Sequence, residues 1–192
     1  MAHFFGSIFL IIVFIALLPI LTQANIPFIK FNNTGNAPMT QADIKLITKT
    51  CSTTTDPGYC RSILNRLLQR KDVEKDLYGF LFLTCEFSWK TVQTTRLKLY
   101  DLMREAGENP IARMVVELCK NKYEEAENSF RAAVGLAKNR YSKDAMVNVM
   151  DGQNKVNDCD RVQNTTLLFI SHREIVKLVD ISIAASKLIP QK

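Results

Sequence analysis

The sequence predicts an all-α protein: an up-down-up-down four-helix bundle with an N-terminal helical-hairpin extension, stapled by two disulfides. Three observations carry this expectation. Long stretches repeat apolar or small residues at intervals of three and four, the period of one helix face. No stretch alternates apolar with polar residues, and no Asn-Gly pair marks a β-hairpin. Turn and stop signals fall between the periodic stretches, at Asp56-Pro57-Gly58, Gly107 and Asn109-Pro110.

Taken in chain order, Thr40 followed three residues later by Asp43 forms a capping-box pattern that opens a short helix carrying Ile44 and Ile47. Asp56-Pro57-Gly58 is a turn signal between Cys51 and Cys60, so this segment reads as a helical hairpin closed at its tip. Asp72 is placed to cap a long second helix, whose stripe is Val73, Leu77, Leu81, Thr84, Ser88, Val92, Thr95, Leu99, Leu102 and Ala106, with Gly107 as its stop. Asn109-Pro110 is an N-cap with proline at the first helical position. The helix behind it repeats Ala112, Val116, Cys119, Tyr123, Ala126, Phe130, Ala133 and Ala137 by fours and threes, the seam of a left-handed bundle. Met146, Val149 and Met150 suggest another helix, expected to break at Asp151-Gly152. The last helix, from Thr166 to Ile189, has one narrow polar stripe of Arg173, Lys177, Asp180 and Lys187, with Ala184 inside it. A helix apolar on most sides is expected at the centre of the bundle.

Residues Phe4 to Leu21 are almost continuously apolar and lead into Thr22-Gln23-Ala24, which puts small side chains at the −3 and −1 positions of a cleavage site after Ala24. The competing reading is a membrane anchor, since this run is near the minimum that spans a bilayer. Pro19 and the Thr-Gln-Ala end favour cleavage. The expected organisation is therefore a signal peptide over 1–24, an irregular arm over 25–39 rich in Asn, Pro and Gly, and the bundle with its hairpin over 40–192. The mature chain is expected to be secreted, with no stable membrane anchor.

No Asp, Glu, Lys or Arg lies before Asn25, so the formal net charge of +6 belongs to the mature chain. Such a charge favours acidic partners, such as a polyanionic polysaccharide or an acidic enzyme surface, but without a basic cluster it serves mainly solubility. No run resembles a nucleic-acid-binding stripe, and no nucleic-acid partner is expected. The sequons at Asn32 and Asn164 are candidate glycosylation sites. The five cysteines, Cys51, Cys60, Cys85, Cys119 and Cys159, give two bridges and one leftover thiol in an oxidising compartment, with 15 pairings open.

No catalytic constellation is visible. The mature chain holds a single histidine, His172, and the adjacent Ser171 points about 100° away from it on a helix. There is no nucleophile elbow, phosphate loop or zinc-ligand spacing. Glu124-Glu125 and the Asp158/Asp160 pair read as solvated faces. The expectation is a protein that binds rather than catalyses, with no cofactor and no metal site.

Two blocks resemble the plant invertase and pectin methylesterase inhibitor family. One is Ile47-x-x-Thr50-Cys51 with Thr54, Pro57, Tyr59-Cys60 and Leu64; the other is Leu118-Cys119-Lys120-x-x-Tyr123-x-x-Ala126, with Cys159-Asp160 forty residues after Cys119. The resemblance implies the bridges Cys51–Cys60 and Cys119–Cys159, leaves Cys85 as the free thiol, and implies no catalysis. It also implies a stoichiometric complex with a target enzyme. Invertase inhibitors of the family carry a Pro-Lys-Phe motif between the third and fourth bridge cysteines, inserted in the target's cleft. The stretch here most similar to it is Asn139-Arg140-Tyr141, in which the proline is replaced by Asn139. Pectin methylesterase inhibitors usually show a Ser-Ala-Ala run shortly before the fourth cysteine, and this chain has none.

The balance leans to an inhibitor of cell-wall or vacuolar invertase, a β-fructofuranosidase, with pectin methylesterase as the alternative target. A secreted helical-bundle signalling ligand is the more remote alternative. A retaining glycosidase presents two carboxylates across its cleft. Arg140 could pair with one in two-pronged fashion while Tyr141 stacks in the sugar subsite. Apart from the resemblance, Asn139-Arg140-Tyr141 reads as an ordinary helix end.

Overall fold

The computed structural model describes residues 39–67, 69–161 and 166–190. The signal peptide, the arm up to Pro38 and both sequon asparagines, Asn32 and Asn164, lie outside the described residues. Every regular element among the described residues is a helix: α1 (Gln41–Cys51), α2 (Pro57–Leu67), α3 (Leu77–Glu105), α4 (Pro110–Lys138), α5 (Ser142–Asp160) and α6 (Thr166–Leu188).

Helices α3 to α6 close a ring in which each packs on the next and α6 packs back on α3. Cross-helix contacts fix their directions. Arg96 meets Glu127 while Trp89 meets Arg131, so α3 and α4 run antiparallel. Cys119 is bridged to Cys159 while Ser129 meets Asp151, which does the same for α4 and α5. The up-down-up-down bundle follows, with the α1–α2 hairpin laid on α6 and the start of α3. The core runs from Leu81, Cys85, Val92 and Leu99 through the α4 seam to Val149, Val156, Leu168, Ile175 and Val179. Of the eight seam positions expected on α4, all but half-buried Ala112 are buried.

The short helices start where their caps dictate. Asp43 N donates to Thr40 Oγ1 at 3.2 Å and Thr40 N to Asp43 Oδ2 at 2.9 Å, a complete capping box at α1. At the hairpin tip Tyr59 N donates to Asp56 Oδ1 at 3.0 Å, so Asp56-Pro57-Gly58 is both the turn and the start of α2.

Two expectations are corrected. Asp72 does not cap the long helix; it pairs with Arg70, whose Nε donates to Asp72 Oδ1 at 3.0 Å. The cap is Asp76, which accepts from Gly79 N at 2.8 Å, and Val73 precedes the helix. The cause lies at Gly79, where an added Cβ would sit 1.8 Å from the carbonyl oxygen of Glu74. The segment before Asp76 crosses the first turn of α3 rather than extending it. Gly79→Ala is expected to cost about 2–3 kcal/mol, the range for overpacking with a weakened cap, read as a lower urea midpoint at unchanged slope.

The second correction concerns α5, which runs through Asp151-Gly152 without a break. Gly152 is buried, and an added Cβ would lie 2.7 Å from the Phe130 ring. This glycine is a seat for an aromatic ring of α4, and helix packing outweighs its poor helix propensity.

The polar stripe of α6 is not all solvated, because the hairpin tip lies over it. Thr55 N and Oγ1 donate to Asp180 Oδ2 at 2.6 and 2.8 Å, and Lys177 Nζ donates to Asp56 Oδ2 at 2.7 Å. Ala184 is buried, while Arg173 and Lys187 remain exposed. Glu174 lies beside this seam, where burial raises its carboxyl above the ordinary value near 4.5 and Lys98 offsets the shift only in part. A raised carboxyl pKa stabilises the fold at low pH, and that contribution is lost as pH rises through the folded value. Glu174→Gln is therefore expected to raise the melting temperature at pH 7. The gain should shrink as the pH falls toward 4, where the parent is protonated as well.

Candidate functional site

The Asn139-Arg140-Tyr141 stretch forms the whole connection between α4 and α5. Arg140 N donates to Ala137 O at 3.0 Å and Tyr141 N to Leu136 O at 2.9 Å, the paired bonds of a Schellman turn. In that motif the residue after the C-cap must be left-handed, and Arg140 has φ 65° where glycine is the usual occupant. Tyr141 then starts α5 directly, with Ala145 N donating to its carbonyl at 2.9 Å. The tyrosine is left 60% exposed.

Arg140 turns back onto the start of α3. Its Nη2 donates to Asp76 Oδ2 at 3.1 Å and also to Glu74 Oε2, and its guanidinium lies 4.7 Å from the centre of the Tyr78 ring. The fields of Asp76 and Glu74 raise the Arg140 pKa further, so it is a permanent cation. Sequence reasoning missed these three partners. They lie more than sixty residues away, and no local pattern links them to the loop.

The bridges are Cys51–Cys60, with Cα atoms 5.5 Å apart, and Cys119–Cys159, with Cα atoms 4.8 Å apart; Cys85 is free and buried. Burial pushes its thiol up to about 12. The first bridge closes the hairpin. The second pins α4 to the end of α5, so the α4–α5 turn is one end of a cross-linked helix pair.

A further charged cluster sits on the α3–α4 seam. Glu127 is buried, and burial alone would raise its pKa. Bonds from Arg96 Nε at 2.7 Å and Arg131 Nη2 at 2.8 Å outweigh that and hold it below the ordinary carboxylate value. Its position next to seam residue Ala126, with Arg131 four residues on, was the only sequence signal. His172 is half-buried with Nδ1 3.6 Å from Asp160 Oδ1, beyond hydrogen-bond reach. Among the described residues no group of three or more His, Cys, Asp or Glu is placed to hold a metal ion, and no helix is long and apolar enough to cross a membrane.

A closed antiparallel bundle carrying a bridged helical hairpin is a fold with solved members. A mutant form A of a pectin methylesterase inhibitor from Arabidopsis superposes with a TM-score of 0.63 at 17% identity, covering 76% of this chain and 98% of that one. A pectin methylesterase inhibitor from Arabidopsis thaliana superposes with a TM-score of 0.57 at 18% identity, covering 80% and 100%. The family model for plant invertase/pectin methylesterase inhibitors matches residues 45–184, and the chain belongs to that family. No curated protein matches the sequence.

Proposed function

We propose that this protein is a secreted inhibitor of cell-wall or vacuolar invertase that blocks the active-site cleft with the α4–α5 turn. The observation that carries the reading is the pair Arg140 and Tyr141. A left-handed arginine and a 60% exposed tyrosine sit side by side at a three-residue turn between Cys119 and Cys159. A non-glycine residue held at positive φ is a reason to look for function at that site. The guanidinium lies over Tyr78 rather than Tyr141, and an arginine and an exposed tyrosine carried on one turn suit a sugar cleft walled by carboxylates. The apoplast is the expected destination, or the vacuole, after removal of residues 1–24.

A second reading is inhibition of pectin methylesterase, favoured by the two similar structures, both inhibitors of that enzyme. At 17–18% identity they speak for the fold alone. The purified protein with both bridges formed is assayed against an acid invertase and a pectin methylesterase. Saturable, stoichiometric loss of invertase activity alone supports the first reading, and loss of methylesterase activity alone replaces it with the second. Loss of neither leaves a binding protein of another kind, such as a signalling ligand.

A further inference from the structure

We propose that Glu74 and Asp76 form an internal decoy for Arg140, a carboxylate pair that occupies the guanidinium a target carboxylate must capture and so sets the affinity and selectivity of the α4–α5 turn. This rests on reading that turn as the target-binding element.

The geometry resembles the kind of site the arginine would enter. Two carboxylates converge on Arg140 Nη2, Asp76 Oδ2 at 3.1 Å and Glu74 Oε2, and the Tyr78 ring lies under the guanidinium at 4.7 Å. An acid pair with an aromatic platform is also what a glycosidase cleft offers a cation. Binding is then an exchange, in which charge-assisted bonds within the chain are traded for equivalent bonds to the target. Two carboxylates around one arginine also leave the patch with excess negative charge. A cleft without an acid pair gives Arg140 nothing to replace what it leaves. The decoy therefore discriminates against neutral clefts.

The contact is not required for folding at this point. Asp76 caps α3 through Oδ1, which accepts from Gly79 N, and meets Arg140 through Oδ2. Asp76→Asn keeps an equally good cap while removing the charge. Glu74 is mostly exposed and makes no cap. The Arg140 side chain is half exposed, so release into a partner needs no unfolding.

If the decoy is closed in roughly nine molecules of ten, opening it tightens apparent binding by about tenfold. The test is a cycle of parent, Glu74→Gln/Asp76→Asn, Arg140→Ala and the triple variant, with inhibition constants measured against invertase and pectin methylesterase. The decoy predicts about tenfold tighter inhibition from Glu74→Gln/Asp76→Asn and no effect of the same changes once Arg140 is alanine. Equal or weaker inhibition overturns it. So does equal tightening in the Arg140→Ala background, which would be general charge repulsion. If Arg140→Ala alone inhibits as well as the parent, the reading of the turn fails and takes the decoy with it. A target-free check is ¹⁵N NMR of the Arg140 guanidinium, whose hindered rotation should be seen in the parent and lost in Glu74→Gln/Asp76→Asn. Unchanged rotation would also overturn the decoy.

Discussion

Replacing Cys119 and Cys159 together by alanine lowers stability by about 4 kcal/mol, the loop-closure value for cross-linked residues separated by 40 positions. The Cys51–Cys60 bridge, with a separation of 9, is worth about 3 kcal/mol on the same reasoning. The larger loss is also the more consequential one, because the second bridge holds the pair of helices that presents the α4–α5 turn. Urea denaturation of the oxidised parent and the double variant reads the difference. An unchanged midpoint would mean that the α4–α5 interface, with Phe130 seated on Gly152, already constrains the reduced chain. Thiol counting checks the pairing at the same time. The oxidised parent should yield one reactive thiol in denaturant and none in the native state at pH 8, because burial holds Cys85 neutral. The same shift gives a pH dependence. The Cys85 contribution is fully present below the ordinary thiol value near 9 and is lost as pH rises toward about 12.

Features that depend on near neighbours in sequence were legible without the structure. The Thr40–Asp43 box, the Asn109-Pro110 start and the α4 seam each need only residues three or four apart. Gly152 was misread because a glycine in a helical pattern signals either a break or a close approach, and the choice depends on Phe130, twenty-two residues away. Asp72 and Asp76 are equally good caps by type. What chooses between them is the carbonyl of Glu74 against Gly79, a backbone contact that no propensity encodes. The α6 stripe was recognised as polar, yet its cover of Thr55 and Asp56 comes from the hairpin tip more than a hundred residues earlier. The candidate site divides the same way. Asn139-Arg140-Tyr141 stood out through family resemblance, whereas the grip of Glu74, Asp76 and Tyr78 on Arg140 is a tertiary fact.

The double variant Arg140→Ala/Tyr141→Ala is expected to weaken invertase inhibition by about a hundredfold or more. Truncating one partner of a desolvated charge pair strands the other, and loss of an aromatic anchor adds to it. The control must separate lost contacts from a disturbed turn, since alanine at φ 65° keeps the backbone strain while losing the ion pairs to Glu74 and Asp76. Arg140→Gly supplies it. Glycine suits the left-handed position, so its melting temperature should equal or exceed the parent's while inhibition falls as for Arg140→Ala. Lys187 is a poor negative control, because α6 ends at the same end of the bundle where α3 begins. Arg113→Ala, exposed near the opposite end of α4, should leave inhibition unchanged. Sucrose should compete with the parent, since both would occupy one cleft. Full inhibition by the double variant at parent-like stability would sink the turn as the contact surface and move the search to the helix faces.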